Sequence, residues 1–217
     1  MFFTSPTLGA SFAISYNSFD SSPTSKTRLT VGCNFAKATV SSIIPLKRTY
    51  LAFGELFSDV APNHVKRIKE LADAGKYDNV VFHRVIDGFM AQTGDVKFGN
   101  SNSPDFNLRM AGMGGSDLPD LKQEFNSLPH DRGTLSMARS SDPNSANSQF
   151  FICLANSTFL DQKYTVWGQV ISGMEYVDLI KKGESANNGA VTNPDSMKKV
   201  YIRQLDHSLI SGWLYTN

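Results

Sequence analysis

The sequence predicts one mainly β domain, in which an antiparallel sheet closes into a barrel and two α-helices cover its ends. A chain of 217 residues is long enough for one well-packed domain and short for two. About seven short runs of apolar, β-branched and aromatic residues lie between clusters of Gly, Asn, Asp and Pro, as strands do. Two segments carry apolar residues at helical spacing. This excess of strands favours a closed barrel whose ends the two helices plug.

The N-terminal segment, residues 1–48, differs from the rest of the chain. It is rich in Ser and Thr and has no sustained helical or alternating pattern. We therefore expect an extension that is poorly ordered or partly docked, a domain over residues 49–205 and a tail over residues 206–217. The first residues lack the basic start and apolar run of a secretory signal peptide. Cytoplasm and periplasm both remain open.

The domain is predicted to begin with a strand over residues 50–57 and a helix over residues 62–75. Pro62 suits the first helical position, and Gly75 can end the helix in a left-handed cap. The apolar residues on one face of this helix are Val65, Ile68, Leu71 and Ala72. That face should cover an apolar opening of the barrel.

The rest of the domain is predicted as short strands, two long loops and a second helix. The strands are expected at residues 80–86, 89–93, 133–139, 149–155, 164–170 and 197–205. Loops over residues 95–119 and 140–148 are rich in Gly, Ser, Asn, Asp and Pro, and loops of this size usually carry function. The helix, over residues 173–182, would bury Met174, Val177 and Ile180.

Composition and charge exclude several classes of function. Hydrophobic residues make up 41% and charged residues 19%, the balance of an ordinary globular protein. A net charge of +1 is too small to attract nucleic acid or anionic lipid. No apolar run approaches the roughly 18 residues of a membrane-spanning helix. Cys33 and Cys153 form no metal-binding or redox motif. We expect no nucleic acid, membrane or metal among the ligands.

The most informative segment, residues 82–95, places an arginine among apolar residues. The period of a strand puts Arg84 on the same face as Phe82 and Ile86. Such an arginine extends its charge to solvent, pairs with a buried carboxylate, or has a catalytic task. His83 faces the other side and has no partner at metal-ligand spacing, so a structural role is expected.

Two other strands each place an amide beside a large apolar side chain. Met90 and Gln92 share one face of their strand, and Gln149 and Phe151 share one face of theirs. Amides next to apolar walls suit the recognition of a peptide. No Gly-x-Ser-x-Gly motif surrounds a serine, so a hydrolase is not supported.

These segments closely resemble the signature of the cyclophilin family. Residues 82–86 read Phe-His-Arg-Val-Ile, residues 88–92 read Gly-Phe-Met-Ala-Gln, and residues 148–152 read Ser-Gln-Phe-Phe-Ile. Further matches bring the resemblance to roughly residues 50–202. It implies a closed, antiparallel, eight-stranded barrel capped by two α-helices. It also implies a peptidyl-prolyl cis-trans isomerase of bacterial type that assists protein folding.

The resemblance also implies the residues of the site. Arg84 would be the catalytic residue. Phe89, Met90, Phe151 and Leu160 would form the walls of a proline pocket, with Phe159 and Tyr164 at its rim. Gln92, Gln149 and the backbone of Ala138 and Arg139 would hold the flanking peptide. Substrates would be proline-containing polypeptides and unfolded clients, bound by a monomer.

Isomerisation needs neither metal nor cofactor, because no covalent bond breaks. The barrier near 20 kcal/mol comes from amide resonance, and a fixed guanidinium can stabilise the twisted amide. The alternative is a peptide-binding scaffold without physiological catalysis. Phe159 stands where many eukaryotic cyclophilins have tryptophan, which implies weak binding of cyclosporin.

The sequence departs from the family pattern at the start of the domain. Family members open with a strand paired to the one at residues 50–57, and no such strand is evident directly upstream. Residues 28–31 or 39–44 could supply it. Gly54 also interrupts the strand over residues 50–57, which weakens it locally.

Overall fold

The computed structural model describes residues 10–18 and 48–204, and the side chains of residues 13–15 and 51–202. One sheet of 8 strands dominates these residues, in the order β3-β4-β6-β5-β7-β2-β1-β8. All neighbouring strands run antiparallel. The strands are β1 (Ala10–Ser18), β2 (Arg48–Leu56), β3 (Arg84–Ile86), β4 (Met90–Thr93), β5 (Thr134–Met137), β6 (Phe150–Cys153), β7 (Val166–Ser172) and β8 (Ser196–Gln204). The predicted mainly β, eight-stranded antiparallel fold is confirmed.

The sheet curls without closing completely, so the predicted closed barrel is overstated. Its edge strands β3 and β8 are joined only just outside β3, by a bridge between Val81 and Ser196. Beside β3 itself the chain of residues 189–191 takes the hydrogen bonds, since Val85 N–H donates to Gly189 O at 2.8 Å. This segment occupies the edge that β8 would need for closure.

Strand β1 lies inside the segment that was predicted as an extension. It pairs with β2 on one side and β8 on the other, and Ala13 and Ile14 are buried in the core. The position beside β2 is therefore filled by Ala10–Ser18, not by residues 28–31 or 39–44, which lie outside the described residues. Gly54 stands where the register between β2 and β7 shifts, a place where glycine is common.

Helix α1 (Pro62–Asp73) has the predicted start, end and buried face. Pro62 is at its first turn, and Gly75 follows it with φ of 65°. Ala61 offers no capping side chain, and Glu124 takes that role by accepting bonds from the backbone N–H of Asn63 and His64, at 3.1 Å each. The long loop before β5 thereby anchors the start of the helix.

The second helix is shorter than predicted. α2 covers only Met174–Val177, one turn. The chain after it continues with 3-10 hydrogen bonds between residues three apart, such as that from Ile180 N–H to Val177 O. Of the three residues predicted to be buried, Val177 and Ile180 are buried, whereas Met174 is only half-buried and packs against the core. No helix in the described part of the chain is long and apolar enough to cross a bilayer.

Candidate active site

The strands β4 and β6 each present one face to the main core and the other to a small second cluster. In β6, Phe150 and Ile152 belong to the main core, while Phe151 and Cys153 turn to the other side. Met90 and Leu160 complete this second cluster. The alternation of strand side chains thus builds an apolar patch on the outer face of the sheet, separate from the core.

A pocket of about 140 Å³ opens over this cluster. It brings together most of the residues that the sequence assigned to the site. Its lining consists of Arg84, Phe89, Met90, Gln92, Ala138, Arg139, Phe151, Leu160 and Tyr164. The pocket therefore combines apolar walls with a guanidinium and an amide at its edge.

Phe151 is held from both sides. The Tyr164 ring meets it edge-on, with centroids 5.9 Å apart, and the His130 ring stacks against it at 6.2 Å. His130 is completely buried and is fixed by Asp161 Oδ1, 3.0 Å from Nδ1, and by Ser136 Oγ, 2.9 Å from Nε2. His130 has no sequence motif around it and was not predicted as a site residue.

The contacts among Asp161, His130 and Ser136 have the order of a hydrolase triad but cannot act as one. Ser136 is completely buried, and its hydroxyl donates to Thr165 O at 3.1 Å. Burial lowers the pKa of His130, against the raising effect of Asp161, whose own carboxyl pKa is lowered chiefly by the backbone N–H of His130. The group is a rigid support beneath the pocket wall.

Arg84 lies at the edge of the pocket and is held by neutral acceptors. Its Nε donates to Asn188 O at 3.0 Å, its Nη2 to Asn188 Oδ1 at 3.0 Å, and its Nη1 to Gln92 Oε1 at 3.3 Å. Within the described residues no carboxylate forms an ion pair with it. Partial burial lowers the pKa of the guanidinium. The alternative of a buried carboxylate partner is therefore wrong for this part of the chain.

Gln92 and Gln149 connect Arg84 to the long loop over residues 95–119. Gln92 Nε2 donates to Gln149 Oε1 at 3.0 Å, and Gln149 Nε2 donates to Gly112 O at 2.9 Å and Gly114 O at 2.7 Å. The loop is fixed in turn by Asp95, which is completely buried and accepts bonds from the backbone N–H of Gly112 and Gly114. Asp95, like His130, was not predicted as a site residue.

A second pocket of about 470 Å³ adjoins the first and shares Gln92, Ala138 and Arg139 with it. Gln149 lines this second pocket, together with residues of the two long loops that were predicted to carry function. The two pockets form one groove with an apolar end and a polar end. Such a groove can hold an extended peptide on both sides of a proline.

The remaining predicted residues lie around the rim. The Arg139 guanidinium stacks on the Tyr164 ring, 4.4 Å from its centroid, and donates to Lys163 O at 2.8 Å. Ala138 N–H donates to Gln149 O at 2.9 Å. Phe159 does not line either pocket; its ring is 59% exposed and lies 5.3 Å from that of Phe89.

No group of three or more His, Cys, Asp or Glu side chains within the described ranges could hold a metal ion. His83 lies behind the groove, where a Cβ atom on Gly112 would come within 2.9 Å of its ring. Burial lowers the pKa of His83 to about 4, so it is neutral at physiological pH.

Comparison with known proteins agrees with this geometry. The family model of the cyclophilin type peptidyl-prolyl cis-trans isomerase/CLD matches residues 52–202. A probable peptidyl-prolyl cis-trans isomerase of Brucella suis is 57% identical over 148 residues, covering 68% of this chain and 75% of the relative. Peptidyl-prolyl cis-trans isomerase A of Dickeya dadantii is 39% identical over 146 residues, covering 63% and 68%.

Solved structures give the same result. A cyclophilin from Hirschia baltica has a TM-score of 0.57 at 27% identity, covering 69% of each chain. A cyclophilin type isomerase of Cryptosporidium parvum, crystallised in the presence of the dipeptide Ala-Pro, has a TM-score of 0.60 at 29% identity, covering 71% of this chain and 94% of that one. This chain belongs to the cyclophilin-type peptidyl-prolyl cis-trans isomerases.

Proposed function

We propose that this protein catalyses cis-trans isomerisation of X-Pro peptide bonds in exposed or unfolded polypeptides, and so assists their folding, with Arg84 as the catalytic residue. The observation that supports the assignment of Arg84 is the environment of its guanidinium. The guanidinium lines an apolar pocket, is fixed by neutral acceptors, and has no carboxylate partner among the described residues. Its charge is therefore available to a substrate.

The reaction needs stabilisation of a twisted amide and nothing else. Resonance makes the barrier about 20 kcal/mol, and uncatalysed exchange takes tens of seconds or longer. When the X-Pro bond twists, the proline nitrogen becomes pyramidal and regains a lone pair. A fixed guanidinium can donate a hydrogen bond to that lone pair, which the planar ground state cannot accept. Arg84 then binds the transition state more strongly than the substrate.

The two ends of the groove divide the remaining tasks. Met90, Phe151 and Leu160 would grip the proline ring and exclude water, because they form a buried apolar wall. Gln92 and Gln149 would hold the residues before the proline, since both line the polar pocket. The presence of Ala-Pro with the Cryptosporidium parvum relative supports proline-containing peptides as the substrate class.

The test is exchange spectroscopy by NMR on a short Ala-Pro peptide with catalytic amounts of protein. We expect Arg84→Ala to lower the exchange rate by about a hundredfold or more, the loss typical of a removed transition-state donor, while the fold is kept. The matched control is Arg109→Ala, because Arg109 is exposed on the long loop and lines neither pocket. Its activity should equal that of the wild type.

A peptide-binding scaffold would behave differently. It would bind the peptide without accelerating exchange, and Phe151→Ala alone would impair it. Full activity in a folded Arg84→Ala protein would overturn the proposed mechanism. Arg84→Lys adds a finer test, since lysine keeps the charge but loses the planar fork, and we expect most of the activity to be lost.

A further inference from the structure

We propose that Asn188 is a positioning residue for the isomerase reaction, which holds the Arg84 guanidinium in its reactive orientation without touching the substrate. This inference rests on the proposed role of Arg84. Asn188 lines neither pocket of the groove. It nevertheless makes two of the hydrogen bonds that fix Arg84, one through its backbone oxygen and one through its side-chain oxygen, each 3.0 Å long.

The two bonds constrain the guanidinium in a specific way. They engage Nε and Nη2, which lie along one edge of the planar group, while Gln92 Oε1 takes a bond from Nη1 at 3.3 Å. With three nitrogens engaged, rotation of the plane about the last side-chain bonds is restricted. A guanidinium that is already oriented loses little entropy when it donates to the twisted amide.

The backbone around Asn188 explains how one residue supplies both acceptors. Asn188 follows a one-turn 3-10 helix, Ser185–Asn187, and has left-handed φ and ψ of 50° and 33°. Asparagine tolerates this conformation better than most residues with a side chain. In this conformation the side-chain and backbone oxygens both reach Arg84.

The same segment is bonded to the strand that carries Arg84. Val85 N–H donates to Gly189 O at 2.8 Å, and Gly183 N–H donates to Val85 O at 2.9 Å. Gly189 also approaches β3 so closely that a Cβ atom there would lie 2.4 Å from Ile86 Cγ1. On the other side of Arg84, Val191 N–H donates to His83 O at 3.1 Å. The segment that carries Asn188 is therefore hydrogen-bonded to the chain before and after Arg84, which fixes its position on the surface.

The chemistry of the acceptor matters as well as its position. An amide oxygen orients the guanidinium and leaves its charge uncompensated. A carboxylate at the same place would form an ion pair that competes with the proline nitrogen for the charge. The neutral acceptors on Asn188 and Gln92 thus leave the charge of the Arg84 guanidinium available to a substrate.

The decisive variant is Asn188→Gly, because glycine keeps the backbone oxygen and the left-handed conformation but removes Oδ1. We expect kcat on an Ala-Pro peptide to fall about tenfold with KM within about twofold, since only transition-state stabilisation is lost. The matched control is Asn193→Gly. Asn193 has a similar left-handed φ of 54° and lines neither pocket, so its kinetics should be unchanged.

The Arg84→Ala background separates positioning from a general effect on folding. There Asn188→Gly should cause no further loss, because its partner is already absent. NMR of the Arg84 side chain gives an independent readout: rotation about the bond to Nη2 should become faster in Asn188→Gly. Unchanged kcat in Asn188→Gly, a change confined to KM, or an equal loss in the Arg84→Ala background would each overturn the inference. If Arg84→Ala is fully active, the proposed function fails as well.

Discussion

The two ends of the groove are built on different physical principles. The apolar end is an extension of core packing: Phe151 and Met90 are 5% and 2% exposed and come from neighbouring strands of the sheet. The polar end is a relay of hydrogen bonds from Arg84 through Gln92 and Gln149 to a loop, and its last member is the buried carboxylate of Asp95.

This difference indicates where binding and turnover can be altered separately. A wall that is part of the sheet cannot be changed without a cost in folding stability, since cavities in packed regions are expensive. A relay that ends in loops can be loosened while the sheet stays intact. We therefore expect changes at the apolar end to lower substrate affinity and the stability of the sheet together, and changes at the polar end to lower turnover by loosening Arg84, with any loss of stability arising in the loop.

The largest effect should follow truncation of the apolar wall. In Phe151→Ala the free energy of unfolding should fall by about 3 kcal/mol, because a large buried ring leaves a cavity. KM for an Ala-Pro peptide should rise more than tenfold, since the same ring forms the pocket wall. Urea unfolding and steady-state exchange kinetics measure both. The control is Phe159→Ala, whose ring is 59% exposed and should cost less than about 0.5 kcal/mol. Equal stability losses in the two variants would contradict the comparison.

A smaller effect is expected at the end of the polar relay. Asp95 accepts bonds from four backbone N–H groups, those of Lys97, Phe98, Gly112 and Gly114. Asp95→Asn replaces one acceptor oxygen by a donor, so the free energy of unfolding should fall by about 2 kcal/mol. Turnover should fall severalfold, because the carbonyls that hold Gln149 lose their support.

Asp105→Asn is the control for this prediction, since Asp105 is exposed on the same loop. Its unfolding and exchange kinetics should match those of the wild type. An Asp95→Asn protein with lower affinity for peptide but unchanged turnover would show that the relay holds the flanking peptide without orienting Arg84.

Local sequence patterns predicted the position of most strands of the sheet. They did not predict features that depend on contacts between distant parts of the chain. Alternation placed β4 and β6 correctly, and with them the face that carries Phe151. The strand predicted over residues 80–86 is shorter, Arg84–Ile86, and Phe82 lies in the main core while Ile86 packs on the second cluster, so the predicted shared face of Phe82 and Arg84 is wrong. Strand β1 was missed although its local pattern is that of a strand, since Phe12, Ile14 and Tyr16 follow a period of two with Ser and Asn beside them. The Ser- and Thr-rich composition of residues 1–48 as a whole favoured an extension instead. Incomplete closure could not be predicted, because it depends on the chain beside β3.

The same limit applies to the prediction of the site residues from the sequence. Residues of the pocket wall lie in short motifs on strands, so a resemblance could identify them. Asn188 is 104 residues from Arg84, and Asp95 acts through glycines 17 and 19 residues away. His130 supports Phe151 by stacking, and no motif surrounds it. Residues that position others through loops leave no local pattern, whereas residues that line a sheet do.

The free energy of unfolding should depend on pH through His83, which packs beside the polar end of the groove. His83 packs against Gly112, and burial lowers its pKa to about 4, with Asp95 raising it and Arg84 lowering it. In the unfolded chain the same imidazole titrates near 6.5, so between these values the unfolded state binds the extra proton and stability falls as pH falls.

The contribution of His83 to this loss should be about 2 kcal/mol between pH 7.5 and pH 5. Urea unfolding at the two pH values measures it, and His83→Gln should reduce the pH dependence by that amount. Buried His64 and His130 also have lowered pKa values and add to the slope in the same direction. An unchanged pH dependence in His83→Gln would show that His83 does not cause the loss.

The smallest effect is expected at Phe159, the apolar residue that does not belong to the buried wall. Its exposed ring packs on Phe89 with centroids 5.3 Å apart, so a larger ring fits without repacking the pocket. Phe159→Trp adds an indole N–H at the rim. We expect cyclosporin to bind about tenfold more tightly, the gain of about one hydrogen bond, with isomerase activity within about twofold of the wild type. Inhibition titrations of both proteins measure the difference. Nanomolar inhibition of the unmodified protein would show that the rim hydrogen bond is dispensable, and that the buried wall alone supplies the affinity.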